Sequence, residues 1–69
     1  MTNTLKLKAL IMERGFTQEE VAKRLGISVQ SLNAKINNKR EFKASEITIM
    51  IDLLKITDVR AIFFNQKVS

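Results

Sequence analysis

The sequence has no cysteine and no histidine, and these two absences remove three kinds of chemistry at once. There is no disulfide framework, no Cys/His zinc site and no histidine base for a serine nucleophile. Lack of cysteine also suits a reducing compartment. Glycine occurs twice and proline never, which excludes a P-loop or dinucleotide fingerprint and leaves no X-Pro break to mark element ends. No apolar run approaches the roughly 18 residues of a membrane span, and no signal peptide precedes the first element. The expectation is a cytoplasmic protein without a membrane partner. Seven scattered acids do not make a hard-metal site. Glu19 and Glu20 diverge as helix neighbours, while Ser28, Ser31 and Ser45 read as caps and polar helix positions. No reacting group is placed, so the sequence points away from an enzyme and implies no metal or cofactor.

What is present fits one small helical domain over residues 1–69. A chain of 69 residues buries only about 60% of its unfolded surface, so its stability margin is thin. The surplus of 12 basic over 7 acidic residues gives a net charge of +5. A basic surplus suits a polyanion partner, because each neutralised phosphate releases counterions. Lys35, Lys39, Arg40 and Lys43 fall within nine residues and face one acid, Glu41.

The stretch from Thr17 to Asn38 reads as two short helices joined by a tight turn. Thr17 offers a side-chain oxygen to an orphan N–H of the first turn, and Glu20 completes a capping-box pattern. Val21, Ala22 and Leu25 share one face, with Glu19, Lys23 and Arg24 off it. Gly26 stands where a helix end needs positive φ. Ile27 plugs the corner, Ser28 caps the second helix, and Leu32 and Ile36 give that helix its inward stripe. Asn38 lies past the end, the next-best left-handed residue after glycine. The second helix then leaves Gln30, Asn33, Ala34 and Asn37 outside, short and uncharged where a solvated face carries Glu and Lys. Amides pair with the edge of adenine, and small apolar groups sit against a thymine methyl.

The span Gln18–Lys39 resembles the helix-turn-helix of the Cro/CI-type phage repressors, the XRE family. The matching residues are Gln18 opening the first helix, Ala22 facing its partner, Gly26 in the turn, Leu32 inside the second helix, and Asn37-Asn38-Lys39 closing it. The stretch SLNAKINNKREF resembles a small phage Cro-like subgroup. Two departures stand out: Asn38 replaces the usual glycine, and Lys35 stands where many relatives carry an apolar residue. The resemblance implies an all-α, compact five-helix, lambda-repressor-like DNA-binding domain. It also implies that the first motif helix crosses the DNA backbone while the second, residues 28–37, enters the major groove. Val29, Gln30, Asn33 and Ala34 are then the base contacts. Gln18, Ser28, Ser31, Lys35, Asn37, Lys39 and Arg40 are the phosphate contacts.

The remaining chain supplies the other three helices. Residues 1–4 read as a frayed start, with Asn3 or Thr4 able to cap a helix over Leu5–Arg14 whose inward stripe is Leu7, Leu10 and Ile11. Leu5 and Met12 lie off that stripe, and Gly15 ends the helix before the core plug Phe16. Phe42 anchors the loop 39–43. Helix 4 spans Ala44–Leu54 with Ile47, Met50, Ile51 and Leu54 inward and a second apolar line at Ile49 and Leu53. Lys43 is a poor cap, and Ser45 would shift the start. Thr57 caps a short helix from Asp58 to Phe63 or Phe64, and 65–69 form an irregular tail. Of the pair Phe63-Phe64, one ring goes inward and the other joins a contact surface, unless one core holds both.

These readings converge on a transcriptional regulator that binds a pseudo-palindromic operator in double-stranded DNA. Its copies would associate weakly, and mainly on DNA, through Ile49, Leu53, Phe64 and Val68. The alternative is a protein-interaction module, or an antitoxin of the same fold, that acts on another regulator.

Overall fold

The computed structural model describes residues 1–64. Among them the chain forms five helices and no strand: α1 Thr4–Glu13, α2 Gln18–Leu25, α3 Val29–Ile36, α4 Ala44–Leu54 and α5 Val59–Phe63. The expected contact Val68 and the tail 65–69 lie outside the described residues. None of the described helices is long and apolar enough to cross a membrane.

Helix starts follow from local side-chain chemistry. Asn3 caps α1, its Oδ1 accepting the Lys6 N–H at 3.1 Å. At α2 the Thr17 hydroxyl accepts the Glu20 N–H (3.1 Å) while the Glu20 carboxylate accepts the Thr17 N–H (3.0 Å), a complete reciprocal cap. Ser28 accepts the Ser31 N–H at 3.0 Å, so the second motif helix runs from 29 to 36, with Ser28 and Asn37 as its flanking caps. Gly26 turns between these helices at φ 71°. No atom lies within 4 Å of where a Cβ would stand there, so glycine serves the backbone conformation and not the space.

Three expectations about helix ends need correction. Ser45 does not cap α4: the helix begins at Ala44 because Glu46 reaches back and accepts the Lys43 N–H at 2.8 Å. Thr57 is not the cap of α5; Asp58 is, accepting the Ala61 N–H at 3.2 Å. Residues 1–4 are not frayed, because each is tied to a distant element. The Met1 nitrogen donates to the Phe63 carbonyl (3.3 Å), Asn3 N–H to the Ile62 carbonyl (2.7 Å) and the Thr4 hydroxyl to the Ile36 carbonyl (2.7 Å). Thr2 pairs with Asn38 through both of its backbone groups.

The core gathers Leu7 and Ile11 of α1, Val21 and Ala22 of α2, Leu32 and Ile36 of α3, and Met50 and Leu54 of α4. Ile56, Ile62 and Phe63 close it. Helix α2 packs on α3 and α4, and α1 on α3 and α5. Of the expected α4 stripe, Met50 and Leu54 are buried while Ile47 and Ile51 are half-buried. The two adjacent rings part: Phe63 enters the core and meets Phe42 edge-to-face, centroids 5.4 Å apart, while Phe64 stays 56% exposed. The edge-to-face pair joins the loop after α3 to the end of α5, which fixes the loop that begins at Lys39.

Candidate nucleic-acid interface

Helix α3 presents its outer face as an open depression of about 320 Å³, lined by Val29, Gln30, Asn33, Ala34 and Lys39. The four expected base contacts therefore stand together on one surface, and the first residue after the turn joins them. Gln30 is exposed and has no side-chain hydrogen bond among the described residues, which leaves its amide free to donate and accept. Asn33 is different. Its Oδ1 accepts from Asn37 Nδ2 at 2.7 Å, and its Nδ2 donates to Gln18 Oε1 at 3.4 Å. A chain of amides thus runs from the end of α3 back to the start of α2, holding Asn33 in place.

That chain changes the role of Asn37. Its Nδ2 also donates to the Asn33 carbonyl at 2.9 Å, so both amide hydrogens are taken and none is left for a phosphate. Asn37 therefore braces Asn33 on the outer face of α3. Gln18, by contrast, uses only its oxygen and keeps its amide N–H groups for an outside acceptor. Ser28 uses its oxygen as a cap and keeps its hydroxyl hydrogen. Ser31 is half-buried.

Lys35 is the larger correction. Expected at a phosphate, it is only 6% exposed, and its Nζ lies 2.6 Å from both carboxylate oxygens of Glu46, itself 5% exposed. The cause is helical spacing: Lys35 follows Leu32 by three residues and so falls on the inward face with Leu32 and Ile36. A charge there survives burial only with a partner. Glu46 supplies it from α4, four residues before Met50 on the buried stripe. Burial pushes the Glu46 carboxyl up. The Lys35 hydrogen bonds, the Lys43 N–H and the charges of Lys35 and Lys43 outweigh that and hold it below its ordinary value. The sequence signal was present in two spacings, 32-35-36 and 46-50-54, each with one charged residue on an apolar stripe.

Asn38 takes the left-handed turn expected of it, at φ 63°. Its amide does more than tolerate that conformation. Oδ1 accepts the Thr2 N–H at 2.8 Å and Nδ2 donates to the Thr2 carbonyl at 2.9 Å, so the N-terminal segment is clamped to the end of α3. Beyond the turn, Lys39 and Arg40 separate. Lys39 lines the α3 depression, whereas Arg40 lines a groove with Met1, Thr2, Glu41, Phe42 and Phe64. The expected dimer contacts also divide. Ile49, 40% exposed, and the half-buried Leu53 lie one turn apart on α4, while Phe64 borders the Arg40 groove, which neither of them lines.

No curated protein matches the chain. The family described as a protein of unknown function, DUF739, matches residues 3–66. With the match spanning every helix from α1 to α5, the chain belongs to the DUF739 family.

Proposed function

We propose that the chain is a sequence-specific DNA-binding transcriptional regulator of the Cro-like kind, reading the major groove of an operator with the outer face of α3. One observation carries the reading: the exposed residues of α3 are small, uncharged or amide-bearing, and its one charged residue is turned inside and neutralised. An α-helix fits the major groove, where adenine offers an acceptor and a donor to an amide and thymine offers a methyl group. Gln30 is the adenine reader, and Val29 and Ala34 meet thymine methyls. Gln18, Ser28, Ser31 and Arg40 supply phosphate donors around that face. The net charge of +5 is of the sign the backbone requires. A single domain reads only a few base pairs, so two copies share a pseudo-palindrome, with half-sites about 34 Å apart.

The test is selection of bound sites from a random duplex library, with the winner measured at two salt concentrations. The expected result is a short inverted repeat whose affinity falls with salt, by a log–log slope of about 0.9 for each phosphate neutralised. Enrichment of nothing, with weak salt-sensitive retention alone, would overturn the reading. The exposure of Phe64 and Ile49 favours a second one in that event, a module that binds another regulator through apolar contacts.

A further inference from the structure

We infer that Lys39 is a base reader, selecting guanine in each half-site, and not a backbone clamp. The inference rests on the DNA-reading function proposed above and deepens it. Four observations point to it. Lys39 is the one charged side chain among the five that line the α3 depression. Lys35, the one cation within α3, is withdrawn into the core by Glu46. Within the depression Val29 and Ala34 carry no side-chain donor, and the Asn33 amide is engaged at both ends. Among the described residues, Gln30 and Lys39 are the side chains lining the depression whose donors make no hydrogen bond at all, while Asn33 keeps one amide hydrogen beyond its bond to Gln18.

The fourth observation is that the root of Lys39 is held. Its N–H donates to the Ala34 carbonyl at 2.8 Å, directly after Asn38, whose amide is tied to both backbone groups of Thr2. A lysine on a loose loop spreads its charge over whatever phosphate lies near. One whose backbone is pinned beside the reading helix keeps the base of its side chain at the mouth of the depression, which limits what its ammonium can reach. The acceptors in the groove that suit an ammonium are guanine N7 and O6, adjacent on one edge. The depression then takes a composite pattern: an adenine at Gln30, thymine methyls at Val29 and Ala34, and a guanine at Lys39.

The experiment is site selection with the wild type and with Lys39→Ala, Lys39→Arg and Gln30→Ala, followed by binding to the wild-type site carrying 7-deazaguanine at the preferred guanine. The wild type should show a guanine preference at one position of each half-site. Lys39→Ala should lose that preference alone, with a loss of roughly 5- to 150-fold on the selected site. Lys39→Arg should keep the preference, because a guanidinium also takes N7 and O6. The deaza base should weaken the wild type and leave Lys39→Ala unchanged. A Lys39→Ala variant weakened equally on all sequences, with the salt slope reduced by about one, would overturn the inference and return Lys39 to a phosphate. In that outcome a base preference lost at a different position in Gln30→Ala would show that DNA reading itself stands. A wild type that selects no site overturns both.

Discussion

Helix α2 carries Glu19, Glu20, Lys23 and Arg24 on its exposed side and buries Val21 and Ala22, whereas α3, of equal length, carries one charge and buries it. The first arrangement is what water asks of a surface helix. The second is not, and the difference lies in how readily each outer face gives up water. Charged groups are costly to strip of water, while small apolar groups and amides lose it at little cost when a partner returns the hydrogen bonds. The outer face of α3 is thus suited to contact, and that of α2 to solvent. The inner charge of α3 does not contradict this, because Glu46 and the α4 start are built around it.

The comparison breaks most sharply at that inner charge. Glu46→Ala leaves Lys35 buried without a partner and should cost about 3–5 kcal/mol, read as a shift of the urea unfolding midpoint. In a domain of this size that is a large share of the total. Replacing both residues by apolar ones, Lys35→Met with Glu46→Leu, should recover most of the loss or exceed wild-type stability. If the double variant were as unstable as the single one, the pair would be contributing more than mutual neutralisation. The pair also sets a pH dependence. The Glu46 carboxyl is held below its ordinary 4.5 in the folded chain. Its stabilisation is therefore complete above that value and is lost as pH falls through the lowered folded one. Stability measured from pH 6 down to pH 3 should fall less steeply in the double variant than in the wild type.

On the outer face the expected effect is smaller and of another kind. Gln30→Ala should leave the unfolding midpoint where it is, since Gln30 is exposed and its side chain has no hydrogen-bond partner among the described residues. It should cost about 1–3 kcal/mol of binding to a selected site and relax preference at one base pair. Equal weakening on every sequence would mean that its amide meets a phosphate. The contrast with Glu46→Ala, stability without reading against reading without stability, is what separates the two faces of one helix.

The residues that were legible in the sequence are those whose chemistry is local. Thr17 with Glu20, Ser28 with Ser31, and the left-handed Gly26 and Asn38 each act within a few residues, so spacing alone was enough to name them. That Phe63 and Phe64 part is one of two readings the sequence leaves open, and adjacent side chains pointing apart is the physical reason it is the one seen. Lys35 was misread because an inward lysine looks like a surface lysine until its partner is known, and Glu46 is 11 positions away on another helix. The Thr2–Asn38 clamp spans 36 positions and leaves no local trace. Thr57 and Asp58 are both good caps in adjacent places, and local chemistry alone does not choose between them. Asn37 has the right chemistry for contact, but both of its amide hydrogens go to Asn33.

The smallest effects test whether the end of α3 is special. Among the described residues two non-glycine residues take left-handed backbone, Asn38 at φ 63° after α3 and Lys55 at φ 54° after α4. Such a conformation costs an L-residue roughly 1–2 kcal/mol, part of which glycine gives back through its freer unfolded chain. The Lys55 side chain makes no hydrogen bond among the described residues, so Lys55→Gly should stabilise by about 0.5–1 kcal/mol. Asn38→Gly gains less relief, because asparagine tolerates left-handed backbone better than lysine, and it loses the two bonds to Thr2, each of about 0.5–1.5 kcal/mol. It should therefore leave stability unchanged or lower it. Paired urea titrations resolve the difference in sign. An Asn38→Gly variant as stabilised as Lys55→Gly would mean that the clamp contributes nothing and that asparagine there is merely a tolerated helix end. A loss would mean that asparagine stands at this turn because the N-terminal segment has to hold the end of α3, the helix that carries Gln30 and leads into Lys39.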